Sequence, residues 1–380
     1  MKRQTNYKKV IIKIGSSSLV NDDLSINQPV LILIMQAFKK LSDEGIQPCL
    51  VTSGAIAVGM HDLQISEKPK NMGLKQACAA VGQAKLMEYY NKCASIYGLT
   101  LGQILVNHDD FQIRKRMTHL SDTLDNMFKK GIIPVINEND ALSVDEIKVG
   151  DNDTLAGLIA PMIGADLLIL FSDIDGLYDA DPKKNPDAKL IEEVDRIDQN
   201  ILKFVGDTSS GVGTGGMKTK IDAAVICTTA GSDMMICNSA EIGNLAEIVA
   251  GERKGTLFKR SKGINSREHW IIFKTNSSGE ITVDDGLKTA LLSKKVSILP
   301  SGIKKVEGTF GKGSVVEVKD GEGKTIGKGI SAYSDFEIDK IMGKKSDEIS
   351  SILGYEGKSE VIHANDLVIF KEEFYGRFVQ

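Results

Sequence analysis

Apolar and polar residues come in blocks along the first two thirds of this chain. Runs of four to six mostly apolar positions at 10–14, 49–52, 101–106, 132–136, 166–171 and 234–237 predict buried strands, the last of them closing the series. Between them, longer stretches with a period near 3.6 predict helices. One covers 28–44, introduced by Asn27 and Pro29 and stopped by Gly45; being apolar on most of its circumference, it is expected to be buried. Others cover 73–97, ending at Gly98, then a helix with Leu120, Leu124, Met127 and Phe128 on one face, then 154–163 and 217–230. Strand and helix alternate, so the fold class is α/β: a mostly parallel sheet sandwiched by helices.

The texture changes near residue 262. A link at 263–275 carries the single tryptophan, Trp270, and leads to a tail at 276–380. There, short apolar stretches at 296–299, 314–318 and 325–330 alternate with glycine-rich turns, and one helix-like segment covers 335–342. That spacing predicts a small β-barrel or sandwich. The expected domains are 1–262 and 276–380.

Polar residues interrupt this pattern at informative places. The apolar run 132–136 stops abruptly in Asn137, Glu138, Asn139 and Asp140, and a second group, Lys148, Gly150, Asp151, Asn152 and Asp153, precedes the helix at 154–163. Helix capping accounts for part of this cluster. Two groups of amides and carboxylates exceed that need, and in open α/β sheets ligands bind at the carboxyl ends of strands. Lys13 lies inside an apolar strand and is followed by Gly15, Ser16, Ser17 and Ser18. An unpartnered ammonium is costly to bury, so Lys13 is either a ligand-facing charge or a lysine snorkelling from a strand edge. Ser53, Gly54 and Ala55 form another loop of small residues after a strand.

The run from Gly211 to Gly216 formally matches GxGxxG. No apolar strand precedes it, however, and Met217 stands where a Walker motif has lysine, so neither dinucleotide binding nor a P-loop follows. What remains is simpler. Gly215 and Gly216 permit close approach of the backbone, the following helix offers free N–H groups, and Lys218 and Lys220 add charge, which together suit a phosphate. The loops, lysines and Asp/Asn cluster fit a site for one anionic group and one substrate carrying an ammonium.

Composition narrows the choices. The chain has 380 residues, 42% hydrophobic and 26% charged, with a net charge of −4, ordinary for a globular protein and without general attraction to nucleic acid or anionic membrane. Five cysteines, none in a CxxC pair, predict reduced thiols in the cytoplasm rather than disulfides or zinc. The histidines show no metal-ligand spacing, so no side-chain metal site is expected. The basic N-terminus is followed by an apolar run too short for a signal peptide, and no apolar run approaches 18 residues. No nucleophilic Ser-His-Asp set is evident. Phosphoryl transfer to a carboxylate requires none, because the acceptor is already ionised and catalysis reduces to positioning and charge neutralisation.

In this order, KIGSS, VTSGAIAVG, PVINENDA, KVGDND, SDIDGLYDADP and GTGGMKTK closely resemble the amino acid kinase family. Within it they are similar to the members that phosphorylate the side-chain carboxylate of L-glutamate in the first step of proline biosynthesis. The tail, with GEITVDDG, LLSKKVSILPSGI, VEGTFGKGSVVEV and GKGISAYS, resembles a PUA domain. The resemblance implies ATP as co-substrate, with Mg2+ held mainly through the ATP phosphates. It implies that Lys13, Lys220 and Asp153 are catalytic, the lysines on the phosphates and Asp153 orienting them. Ser53, Gly54, Asn137, Asp140 and Asn152 would hold glutamate. Lys13, Ser172, Asp173, Thr214, Gly215, Gly216, Met217, Lys218, Thr219 and Lys220 would line the nucleotide site. Ser16 stands where threonine is common in the family, and Ile174 and Asp175 occupy a variable pair. The resemblance also implies inhibition by proline and a homo-oligomer, a dimer or tetramer. RNA is the rival partner for the tail. Residues 271–380 carry 16 Lys and Arg against 17 Asp and Glu, which does not support tight RNA binding and favours an oligomer or regulatory platform.

Overall fold

The six apolar runs of the first two thirds of the chain all form strands, as the pattern predicts. The computed structural model describes residues 6–107, 110, 111, 113–142, 152–182, 184–198, 201, 216–252, 254–261, 271 and 277–370. Contacts divide the chain into two units, Met1–Gly263 and Ile264–Gln380.

In the first unit the order is β1 Lys9–Ile14, α1 Ser16–Leu19, α2 Gln28–Asp43, β2 Gln47–Val51, α3 Ala55–Asp62 and α4 Met72–Ile96. Then come β3 Thr100–Val106, α5 Arg114–Lys129, β4 Ile132–Glu138, α6 Asn152–Ile163, β5 Leu167–Ser172 and β6 Glu193–Val194. The unit closes with α7 Met217–Thr229, β7 Asp233–Asn238, α8 Leu245–Val249 and β8 Thr256–Phe258. The eight strands form one sheet in the order β3-β4-β2-β1-β5-β7-β8-β6. From β3 to β7 all neighbours are parallel, and β8 runs antiparallel to β7. β5, the run LLILFS, is buried at every position, as a central parallel strand covered on both faces must be.

Strand side chains alternate between the two faces, and the core divides accordingly. Val10, Ile12, Leu50, Ile133 and Val135 pack with Leu31 and Phe38 of α2 and Leu86 and Tyr90 of α4. Ile11, Cys49, Val51, Ile136 and Leu170 pack instead with Leu124 of α5, Leu155 and Ile159 of α6 and Ile221 and Ala224 of α7. Each face buries a continuous apolar layer, and the odd–even parity of a strand position decides which helices it meets.

Several expectations are corrected. The small-residue loops after β1 and β2 turn into helices almost at once, α1 and α3. The helix expected to be buried, α2, is buried on one face only and leaves Ile32 and Leu33 exposed, because the sheet covers only one side of a surface helix. The strand at 234–237 is not the last, since β8 and the two-residue β6 extend the sheet edge; both are too short to leave a periodic signal.

In the second unit a five-stranded sheet has the order β10-β9-β11-β12-β13, built from β9 Gly279–Val283, β10 Ile303–Gly308, β11 Val315–Lys319, β12 Thr325–Ile330 and β13 Leu367–Ile369. Helices α9 Asp285–Ser293, α10 Asp335–Ile341 and α11 Ile349–Leu353 complete it. The stretch at 296–299 is not a strand. Only Ile298 forms a bridge, to Ile362, while the unpredicted α9 is capped by Asp284 accepting from the Leu287 N–H. This unit has its own core around Ile281, Val318, Ile326 and Ile338. Among the described residues no helix is long and apolar enough to cross a membrane. The expected link at 263–275 lies, apart from Ile271, outside the described residues.

Candidate active site

The carboxyl ends of β1, β2, β4, β5 and β7 lie side by side in the sheet, and each runs into polar residues: Lys13 to Ser18, Thr52 to Gly54, Asn137 to Asp140, Ser172 to Asp173, and Asn238 to Ser239. Such an edge is where open parallel sheets bind ligands. Strand parity then assigns each side chain its layer. Lys13 shares the face of Ile11, under α6 and α7, whereas Asn137 and Thr52 share the face of Val135 and Leu50, under α4.

On the α6–α7 side, Asp153 is the centre. Its Oδ1 lies 2.5 Å from Lys13 Nζ and its Oδ2 accepts from Lys220 Nζ at 2.9 Å. Thr219 Oγ1 also contacts Oδ2 at 3.3 Å and donates to the Gly216 carbonyl at 2.8 Å. Asp153 is 1% exposed, Lys220 5% and Lys13 9%, so three charges share a dry environment. Burial pushes the Asp153 carboxyl up, but the Lys13 and Lys220 ammonium groups outweigh it and hold the group below the usual carboxylate range. The helices are locked one turn further on. A Cβ on Gly157, four residues after Asp153, would stand 3.1 Å from the Cα of Ala223, three residues after Lys220. Positions three and four apart share a helix face, so this close crossing brings Asp153 and Lys220 together.

Lys13 is not on a sheet edge; β1 pairs with β2 on one side and β5 on the other, which removes the snorkelling alternative. Lys218 and Lys220 part company. Two residues on a helix differ by about 200° in direction, so Lys220 is buried on Asp153 while Lys218 is exposed. Gly216 caps α7 in extended backbone, and a Cβ there would meet nothing within 4 Å among the described residues. Thr214 and Gly215 lie outside the described residues, as do Lys148, Gly150 and Asp151.

On the α4 side the amide groups form a wired network. Asn152 Nδ2 faces three oxygens: Thr52 O and Ser53 Oγ, both at 2.7 Å, and Asn137 Oδ1 at 3.0 Å. Asn137 Oδ1 also accepts from the Glu138 N–H at 2.9 Å, and its Nδ2 donates to Gln83 Oε1 at 2.9 Å. Asn137 is 2% exposed, so its amide is spent on protein partners behind Asn152. Asn152 is half-buried, and its amide nitrogen is committed to these oxygens. Thr52 Oγ1 lies 2.8 Å from the hydroxyl of the fully buried Tyr90. Gly54 adopts φ +92°, a left-handed conformation that favours glycine, at the start of α3. Asp140 sits two residues beyond β4, half-buried.

On the β5 side, Ser172 Oγ donates to Asp173 Oδ1 at 2.8 Å, while the Ser172 carbonyl accepts from Ser239 Oγ at 2.9 Å, which in turn lies 2.6 Å from Ser18 Oγ. This chain of hydroxyls ties α1 to the ends of β5 and β7.

Sequence reading missed Gln83, Tyr90 and Ser239. A signal existed for the first two: on the otherwise apolar or small face formed by Ala79, Leu86 and Met87, Gln83 and Tyr90 are the polar exceptions at helical spacing.

Comparison with known proteins agrees with this architecture. Residues 8–238 match the model of the amino acid kinase family, and residues 279–353 match the PUA domain. Over 370 residues the chain is 45% identical to the glutamate 5-kinase of Caldanaerobacter subterraneus, covering 97% of this chain and 100% of that one. It is 43% identical over 365 residues to the glutamate 5-kinase of Carboxydothermus hydrogenoformans, and 42% over 366 residues to that of Geobacter sulfurreducens, each covering 96% of this chain and 98% of the relative.

Proposed function

The chain belongs to the amino acid kinase family, grouped by full-length identity with the glutamate 5-kinases, and on that premise we propose how its site transfers the γ-phosphate of ATP to the side-chain carboxylate of L-glutamate. The observation that carries the reading is the Lys13–Asp153–Lys220 bridge at the carboxyl edge of the sheet.

A glutamate side chain has a pKa of about 4.3 in water, so the acceptor is ionised at neutral pH and needs no general base. One carboxylate oxygen forms a bond to the γ-phosphorus as the bond from phosphorus to the β–γ bridging oxygen breaks. The products are an acyl phosphate and ADP. The difficulty is electrostatic, since an anion approaches a polyanion. Lys13 and Lys220 counter it with two positive charges in a water-poor site, where preorganised charge is worth most. Asp153 keeps both ammonium groups at fixed positions, while leaving net positive charge to face the phosphates. The N-terminus of α7, with Gly216, Met217, Lys218 and Thr219, offers N–H groups for a phosphate. Ser172 and Asp173, with Thr214 and Gly215, complete the proposed nucleotide side.

Mg2+ would be held mainly through the ATP phosphates. Among the described residues no group of three or more His, Cys, Asp or Glu is arranged to hold a metal, and both Asp153 oxygens already serve lysines. The ion would neutralise charge on the phosphates.

For glutamate, the acceptor Oδ1 of Asn152 and the Asp140 carboxylate suit the α-ammonium, and Ser53 and Gly54 suit a carboxylate. Asn137 acts from behind Asn152. Consecutive residues on α6 point about 100° apart, so Asn152 serves the amino acid while Asp153 serves the phosphates.

The five unpaired, buried cysteines fit a reducing, cytoplasmic setting. Inhibition by proline and assembly into a homo-oligomer are further parts of the reading, with the C-terminal unit as a regulatory or oligomeric platform. A coupled ADP-release assay with glutamate, aspartate and N-acetylglutamate, each with and without proline, tests it. Turnover with glutamate alone is expected; release independent of the amino acid would overturn it.

A further inference from the structure

Gln83 is 7% exposed, lies in the middle of α4, and carries one of the few buried polar atoms in the described residues with no partner, its Nε2. A buried donor without an acceptor is costly, and methionine or leucine would fill the same volume without one. The amide is therefore explained by its other end, Oε1, which accepts from Asn137 Nδ2.

The logic of the network runs from a group that cannot turn. The Glu138 backbone N–H points at Asn137 and demands an oxygen, so Oδ1 takes that side and Nδ2 is left facing α4. There Nδ2 needs an acceptor in a place water does not reach, and Gln83 Oε1 supplies it. With Oδ1 fixed, Asn137 accepts from Asn152 Nδ2, so the nitrogen end of the Asn152 amide is held toward Asn137 and its oxygen end is the one left for a ligand to donate to. Were Asn137 reversed, its Nδ2 would meet Asn152 Nδ2, donor against donor.

The helix that carries Gln83 is held close. A Cβ on the neighbouring Gly82 would stand 1.8 Å from the Ala55 carbonyl oxygen, and one on Gly59 1.8 Å from the Cys78 carbonyl oxygen. Thus α4 is locked against α3, whose first residue follows Ser53 and Gly54, and Gln83 has a fixed register relative to the loop it serves.

We propose that Gln83 is a positioning residue for amino-acid recognition: through Asn137 it sets the orientation of Asn152, so that the latter presents an acceptor to the substrate ammonium. The assignment of Asn152 to the amino acid rests on the function proposed above.

The experiment compares wild type, Gln83→Met, Gln83→Glu, Asn137→Ala and the double variant Gln83→Met/Asn137→Ala in the full chain. Gln83→Met is expected to raise KM for glutamate about five- to tenfold, the worth of one positioned hydrogen bond, with KM for ATP and kcat within about twofold. Gln83→Glu keeps an oxygen toward Asn137 in either protonation state and should recover most of the loss. In the Asn137→Ala background, Gln83→Met should add nothing, because its effect passes through Asn137. Equal changes in both KM values, an unchanged KM for glutamate, or additivity in the double variant would overturn the proposal. A separate readout does not depend on turnover. Exchange of the Asn137 side-chain amide protons, followed by NMR, should speed up strongly in Gln83→Met, and unchanged exchange would refute the wiring. Absence of glutamate-dependent ADP release in the wild type would instead defeat the function, leaving the exchange result to decide the role of Gln83.

Discussion

Asp153 Oδ2 accepts a hydrogen bond from Lys220 Nζ at 2.9 Å across 67 residues of chain, with both groups buried. The pair joins the first turns of α6 and α7, and the same carboxylate holds Lys13 from β1. One acid thus holds two cations in place, which in the proposed function would face the phosphoryl group in transit. Lys220→Ala is expected to lower kcat by about 10²- to 10³-fold, the scale of losing one electrostatic stabiliser, with the fold intact. Steady-state ADP release measures it, and near-normal turnover would remove Lys220 from the chemistry.

Asp153→Asn leaves two buried ammonium groups facing a neutral amide. Breaking a buried ion pair by removing one partner costs about 3–5 kcal/mol, which urea unfolding at pH 7 would detect. The pH dependence has a definite sign. The Asp153 pKa is lowered in the folded state, because Lys13 and Lys220 outweigh burial. Its contribution to stability is therefore complete above the unfolded value of about 3.9 and is lost as pH falls through the lower folded value. The gap between wild type and Asp153→Asn should be widest above pH about 4 and shrink below it. A gap that stays constant down to pH 2 would show that this carboxylate does not titrate with unfolding.

Asp140→Ala tests the amino-acid side. If Asp140 binds the ammonium alike in ground and transition states, KM for glutamate rises while kcat holds. A KM for glutamate equal to wild type would exclude that contact.

Gly82→Ala should be among the most damaging small substitutions in the chain. The added methyl would stand 1.8 Å from the Ala55 carbonyl oxygen, a backbone atom that cannot swing aside. Overpacking of this kind costs about 1–3 kcal/mol or more, and α4 can relieve it only by moving off α3. Thermal melting should fall, and KM for glutamate should rise because Gln83 and the 52–54 loop separate. A melting temperature matching wild type would contradict the close crossing.

Truncation after Lys262 asks whether the second unit takes part in the chemistry. The core residues of the first unit fall between Tyr7 and Phe258, and those of the second between Ile281 and Leu367. The shortened chain is expected to retain glutamate-dependent ADP release. Loss of release by a chain whose circular dichroism shows it folded would assign the tail a catalytic part.

Much of this molecule is legible before folding. The strands β1 to β5 and β7 announce themselves as apolar runs because both faces of a parallel sheet are buried, and Gly45, Gly98 and Gly131, all at positive φ, stop their helices where read. The polar residues at the strand ends stand out against those runs, so Lys13, Asn152 and Asp153 are visible as anomalies. What is hidden has a physical cause. β6 and β8 are too short to show a period, and Gln83 sits alone inside a helix, where a buried amide and a solvated one read the same.

The sequence by itself thus determined the period of each element, the parity of each strand position and the places where polar groups break the pattern, because these depend on neighbours a few residues away. Only the tertiary structure decided which helix covers which face. That choice separates Lys218 from Lys220, gives Asp153 to Lys13, and puts Gln83 behind Asn137. It turns on close crossings between elements distant in the chain, at Gly157 against Ala223 and at Gly82 against Ala55, which no local pattern encodes.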